Sequence, residues 1–431
     1  MWESFLKNYC NDKSIVITLF AIETIKAIIF SLIPGDIDFN AYMEQAGHMD
    51  AGERDYSKIN SQTGLMCYPA IHAYIHMFIY FITFKGTSLK IAQLFSTIIH
   101  FINIYSIVKI TNILFKEVTK RKWVLVWLMA EIIGTHLSSQ YVFNDVYWVT
   151  FAHLSILCFL IANKNANLPK EAYNYRSVII YQLSGVVLMS LSISTKMNSM
   201  FYIPALYLIV TLNQGILTGT FYLVLIATLS LLYGLPFLLT YPKSYFSIAY
   251  NFSRRFDLIV SQNYFFLSNE IFTSDLFAKV LLILHITLLI WGLFIKWFDI
   301  KQMFKLLGIY PFKLGIFDFN QAQKENFTPW SLIYIGEVFF VWNFFGIFCL
   351  SSMHNQFCYW YIFSVPFLMI KNLKSVSNSD IKRYTIPYVI LGACFIYYPN
   401  IYKAIYIQLF HIWLLPKWFR KYEDDSLIKQ D

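Results

Sequence analysis

The chain has 431 residues, of which 57% are hydrophobic, 19% aromatic and only 14% charged. Soluble globular domains carry about 25% charged residues, so this chain lacks the charge to clothe a water-facing surface, and its mean hydropathy is +0.51. Apolar runs recur from end to end and are continuous rather than alternating, which excludes a soluble enzyme, a disordered chain, a single-pass receptor and a β-barrel.

What remains is an all-α, polytopic integral membrane protein. The net charge of +9 arises from 34 Lys and Arg against 25 Asp and Glu. The basic residues fall in short clusters between apolar runs and read as topology signals under the positive-inside rule, not as a nucleic-acid surface.

A transmembrane helix needs about 20 apolar residues. In chain order, spans are expected at 15–33, 91–114, 123–138, 143–162, 177–194, 199–212, 217–240, 277–297, 331–350, 357–371, 384–398 and 401–416. The first has no small-residue cleavage site after it and is expected to stay as an anchor. The run Pro69–Phe84 starts with proline and carries His72 and His76 one turn apart. Were it a span, the cluster from Lys116 to Lys122 would fall on the far side. Read as an interfacial helix, it returns that cluster to the cytosol, together with Lys164, Lys170, Arg176, Lys301, Lys305, Lys313, Lys371, Lys374, Lys382, Arg383 and the tail 417–431. The expected layout is therefore twelve spans, cytosolic termini and one domain. Residues 34–90 form a large first exoplasmic loop, and 241–276 form a second. The sequon at Asn251 then lies on the exoplasmic side and the one at Asn326 in the cytosol.

Six of the 25 carboxylates, Asp36, Asp38, Glu44, Asp50, Glu53 and Asp55, fall between residues 34 and 68. A carboxylate fixed at a membrane mouth can act as general base on a substrate hydroxyl. The bland alternative is a solvated acidic loop, but Tyr42, Met43, Tyr56 and Tyr68 give it apolar character. Other polar groups gather on the same side: Asn144-Asp145, Thr195-Lys196-Met197-Asn198, Arg254-Arg255 and His354-Asn355-Gln356. Ionisable residues at membrane depth are costly and usually functional, and Lys and Arg there suit an anionic ligand. Glu23 and Lys26 are spaced to pair within the first span, whereas Glu131 and Glu337 have no evident partner. Six cysteines show no metal spacing, only Cys67 lies in a long polar loop, and His72 and His76 lack a third zinc ligand.

In chain order the sequence carries the segments Asp36-Ile37-Asp38-Phe39-Asn40-Ala41-Tyr42-Met43-Glu44, Asp55-Tyr56-Ser57 leading to Thr63-Gly64 and Tyr68-Pro69-Ala70, and Phe143-Asn144-Asp145. They continue with Lys196-Met197-Asn198, Gly234-Leu235-Pro236-Phe237-Leu238-Leu239, Asn343-Phe344-Phe345-Gly346-Ile347, His354, Gln356-Phe357 and Trp360-Tyr361. In these segments and their order, over roughly residues 34–366, the chain resembles the endoplasmic-reticulum α-1,3-mannosyltransferases that use dolichyl-phosphate mannose in N-glycan assembly.

The resemblance implies the GT-C glycosyltransferase architecture, with a lumen-facing site and interfacial helices in the first luminal loop. It also implies transfer of mannose from dolichyl-phosphate mannose to the pentamannosyl dolichol-diphosphate-linked oligosaccharide, in the membrane of the endoplasmic reticulum. A β-linked donor and an α-1,3 product mean inversion, hence one displacement and one base. Asp38 matches the family aspartate and is the expected base, with Asp36 beside it. Lys196, Arg254 and His354 are expected on the donor phosphate, and Asp55, Asn144, Asp145, Asn198 and Gln356 complete the expected substrate-binding set. The scheme requires no metal or nucleotide cofactor. The sequence departs from the family at Gln62, Tyr141 and Ser351, where a carboxylate and two arginines are common. A related GT-C enzyme with another lipid-linked acceptor is the nearest alternative. A transporter or flippase should show duplicated halves and midplane polar groups, which this sequence lacks.

Overall fold

A computed structural model describes residues 12–32, 37–131, 139–168, 172, 174–252, 254, 256–294, 331–373, 375–396 and 398–419. Among these residues the regular structure is helical, with no strand. Asp36, Arg255, Asn326, the basic cluster 301–313 and the tail beyond 419 lie outside them.

The chain opens with α1 (Asp12–Phe30), α2 (Ile37–Asp50), α3 (Ala70–Ile82), α4 (Leu89–Leu114) and α5 (Val118–Ala130). It continues through α6 (Asp145–Ala166), α7 (Tyr175–Thr195), α8 (Ile203–Gln214), α9 (Ile216–Tyr233), α10 (Pro242–Ala249) and α11 (Asp275–Gly292). The last elements are α12 (Leu332–Phe348), α13 (Asn378–Cys394) and α14 (Ile401–Phe419). Among the described residues, five helices are long and apolar enough to cross a membrane: α4, α6, α7, α9 and α11.

Burial separates the bundle interior from its lipid-facing skin. From Tyr334 to Ile347 every residue of α12 is buried, and α6 is buried over most of its length. A helix apolar all round belongs inside a bundle. By contrast α9 and α11 expose large apolar residues, including Val224, Leu232, Leu282 and Ile283. Such a surface suits lipid rather than water.

The acidic segment is folded rather than loose. Tyr56, Met66, Ala70 and Ala73 pack with Phe237 and Tyr245, while Phe39, Tyr42 and Met43 pack with Ile79, Val142 and Tyr147. The turn Gly234-Leu235-Pro236-Phe237 holds this layer down. Phe237 stacks on Tyr245 at 5.7 Å, and Tyr245 accepts from the Ala70 amide at 3.3 Å. Gly234 is required there, since a Cβ would stand 2.7 Å from the Tyr245 hydroxyl. The 13-residue α3 spans about 20 Å at ~1.5 Å per residue, short of the ~30 Å hydrocarbon core.

Candidate active site

A cavity of about 860 Å³ is lined by Asp38, Lys196, Asn198, Arg254, His354 and Gln356. Six of the expected site residues therefore face one space. They arrive from four segments far apart in sequence, around Asp38, Lys196 and Asn198, Arg254, and His354 and Gln356, which is why sequence distance hid the grouping.

Asp38 lies in the first turn of α2, where a negative charge is favoured by the helix dipole. Its neighbour Tyr42 is buried, and burial first, then the Asp38 charge, holds its phenol protonated. Tyr42 in turn packs on His72 and His76, with ring centroids 4.9 and 4.4 Å away.

Lys196 follows α7 directly, between that helix and a 3-10 turn over Met197–Tyr202. Its ammonium donates to Asp145 Oδ1 at 2.8 Å and to Asn144 Oδ1 at 3.2 Å. Three rings surround it: Phe357 and Trp360, each 5.1 Å from Nζ, and Tyr68 at 5.5 Å. Asn144 and Asp145 stand at the start of α6, reached through Val142, whose φ of +60° is unusual for a β-branched residue.

Arg254 is exposed to the cavity, stacks over Phe256 at 4.9 Å and donates to the Cys67 sulfur. Burial raises the Cys67 thiol pKa, an effect opposed by the charges of Arg254 and Lys196. His354 packs on Phe256 at 4.2 Å and on Phe357 at 5.2 Å, and its Nε2 is buried without a hydrogen-bond partner. Burial, reinforced by Lys196 and Arg254, lowers its pKa to about 4, so the imidazole is neutral near pH 7. A clasp holds the segment in place: Gln262 N donates to Met353 O at 2.7 Å, and Asn263 Nδ2 donates to Leu350 O at 2.9 Å.

Of the expected residues that are described, three are not among the lining groups. Asn144 and Asp145 sit behind Lys196. Asp55 accepts from the Ser57 amide and hydroxyl at 3.0 and 2.8 Å, and it lies near Lys58. The Ser244 side chain first, and then the contacts from Ser57, hold its carboxyl below the usual range.

The sequence reading missed Lys279 and His285, which line the cavity from α11. Ionisable residues in a largely apolar span are themselves a signal. Asn251 also lines the cavity, as does Ser351, while Tyr141 packs on Phe143 at 5.5 Å. Among the described residues, His, Cys, Asp and Glu side chains do not gather in threes as a metal site would need.

The helical bundle and its charged, aromatic-lined cavity have the GT-C glycosyltransferase fold. The backbone resembles the crystal structure of ArnT from Cupriavidus metallidurans bound to undecaprenyl phosphate, with a TM-score of 0.50 and 13% identity. That match covers 94% of this chain and 74% of the other, and it bears on fold alone. More particularly, the ALG3 protein family model matches residues 15–404, and the chain belongs to that family. Among its relatives is the Dol-P-Man:Man(5)GlcNAc(2)-PP-Dol alpha-1,3-mannosyltransferase of Arabidopsis thaliana, 29% identical over 80% of this chain and 74% of the relative. The Neurospora crassa protein of the same name is 31% identical over 79% and 73%, and the human one 26% over 78% and 70%.

Proposed function

We propose that this chain transfers mannose from dolichyl-phosphate mannose, in α-1,3 linkage with inversion, to the pentamannosyl dolichol-diphosphate-linked oligosaccharide in the lumen of the endoplasmic reticulum. The observation that carries the reading is the shared cavity. A carboxylate, Asp38, faces the same space as Lys196, Arg254 and His354.

In this scheme Asp38 accepts the proton of the acceptor hydroxyl as its oxygen attacks C1 of the donor mannose. The C1–O bond to phosphate breaks, and dolichyl phosphate leaves with an additional negative charge. Lys196 and Arg254 stabilise that charge as it develops. His354 is neutral and offers a hydrogen bond rather than a charge. Asn198 and Gln356 supply polar contacts to sugar, and Asp36 belongs to the same carboxylate site. Asn144 and Asp145 serve the substrate from behind Lys196, and Asp55 through the loop it shapes. The reaction calls for no metal or nucleotide cofactor.

The same proposal includes the topology. Beside the five long helices, α1, α5, α12, α13, α14, the pair formed by the 197–202 turn with α8, and the broken segment 355–370 make seven further crossings. Residues 34–90 and 241–276 are luminal and both termini cytosolic. The interfacial placement of α3 is supported by charge, because it returns the basic cluster from Lys116 to Lys122 to the cytosolic side. Purified chain supplied with dolichyl-phosphate mannose and the pentamannosyl lipid should yield a product sensitive to an α-1,3-specific mannosidase. Transfer only to another lipid-linked glycan would keep the reaction class and discard this acceptor.

A further inference from the structure

The start of α6 and the end of α7 meet around one buried cation. Lys196 is 5% exposed and Asp145 wholly buried. Asp145 Oδ1 receives three donors: Lys196 Nζ at 2.8 Å, Trp148 Nε1 at 3.1 Å, and Trp360 Nε1. Its Oδ2 is buried and accepts nothing. Buried polar atoms are ordinarily satisfied, so this carboxylate is not placed to maximise hydrogen bonding. It supplies a countercharge, without which a buried ammonium is costly. Lys196 has three N–H donors. Asn144 and Asp145 occupy one side of it, and Lys196 itself lines the cavity from which both are absent. The aromatic wall is held from behind as well: Tyr359, next to Trp360, has its hydroxyl 2.9 Å from His100 Nδ1 and 3.1 Å from Asn103 Nδ2.

We propose that Asp145, with the indoles of Trp148 and Trp360, is a positioning group that fixes Lys196 as a charged donor in the cavity, and that it reaches the substrate phosphate only through Lys196. This rests on the phosphate-binding role given to Lys196 above. It separates Asp145 from the residues that touch substrate.

A double-mutant cycle tests it, because residues acting through one another give non-additive effects. Full-length protein would be titrated with dolichyl phosphate alone, and transfer would be assayed in parallel. D145N keeps the size and one acceptor oxygen but removes the charge. It should weaken dolichyl phosphate binding by about ten-fold or more. In a K196Q background the same change should cost less than about two-fold. A D145N effect that persists in full beside K196Q overturns the proposal, and so does wild-type binding by D145N. Should D145N fail to fold, W360F takes its place in the cycle. It keeps a ring and loses one N–H, and its smaller loss should likewise vanish beside K196Q; persistence there overturns the proposal. Coupled binding without transfer to the pentamannosyl lipid would remove the proposed reaction and leave this inference standing.

Discussion

His100 of α4 reaches Glu23 of α1, with Nε2 3.1 Å from Oε2 and the two side chains 0% and 2% exposed. Lys26 completes the group, donating to Glu23 Oε1 at 2.8 Å and to the Glu131 carbonyl at 2.6 Å. The pairing of Glu23 with Lys26 is local, but its extension to His100 and Tyr359 ties α1 to the wall of the cavity.

Removing one member of a buried ion pair leaves its partner uncompensated. Glu23→Ala should therefore destabilise the protein by roughly 3 kcal/mol, read as a lowered midpoint of thermal unfolding in detergent. Glu23→Ala combined with Lys26→Met should recover much of that loss. A single variant as stable as wild type would remove the pair from the account.

Gly346 of α12 faces the ring of Phe201, and a Cβ at that position would lie 2.3–2.6 Å from three ring carbons. Both residues line the cavity. Gly346→Ala should cost about 1–3 kcal/mol through overpacking and lower transfer, because the ring must move within the space that holds substrate. Phe201→Leu in the same chain should restore part of both, measured by unfolding midpoint and transfer rate.

His354 binds its proton near pH 4 in the folded protein but near its ordinary value of 6.5 when unfolded. The unfolded chain therefore holds more protons between those values, and stability rises with pH across that window. The contribution is intact above pH 6.5 and is lost as pH falls from 6.5 toward 4. The unfolding midpoint should drop over that range, and His354→Gln should flatten the drop. An unchanged pH dependence in the variant would contradict a buried neutral imidazole.

Much of this was legible in the sequence because long apolar runs dictate helices whatever surrounds them. Two of the expected spans are not continuous helices. The run at 199–212 begins as the 3-10 turn 197–202, and the run at 357–371 breaks into a 3-10 turn over Asn355–Trp360 and a short helix over Val365–Ile370. Apolar composition sets burial, but it does not distinguish a continuous helix from aromatic residues wedged into a turn. The pairing of Glu337 with Lys371, both fully buried, was invisible for a different reason: their elements meet only in the folded bundle. Six of the residues lining the cavity were recognisable by type and motif, whereas Lys279 and His285 of α11 were not. That Asp145 stands behind Lys196 rather than beside it could be learned only from the packing of α6 on α7.

The most direct measurement is the rate of mannose transfer from dolichyl-phosphate mannose to the pentamannosyl lipid by purified wild type and Asp38→Asn, at matched folding and saturating donor. The substitution keeps the shape of the side chain and removes its capacity to accept a proton. A general base contributes typically 10²–10⁴-fold, so the rate should fall by about that factor with donor binding retained. Transfer by Asp38→Asn at the wild-type rate would contradict the assignment of Asp38 as the base.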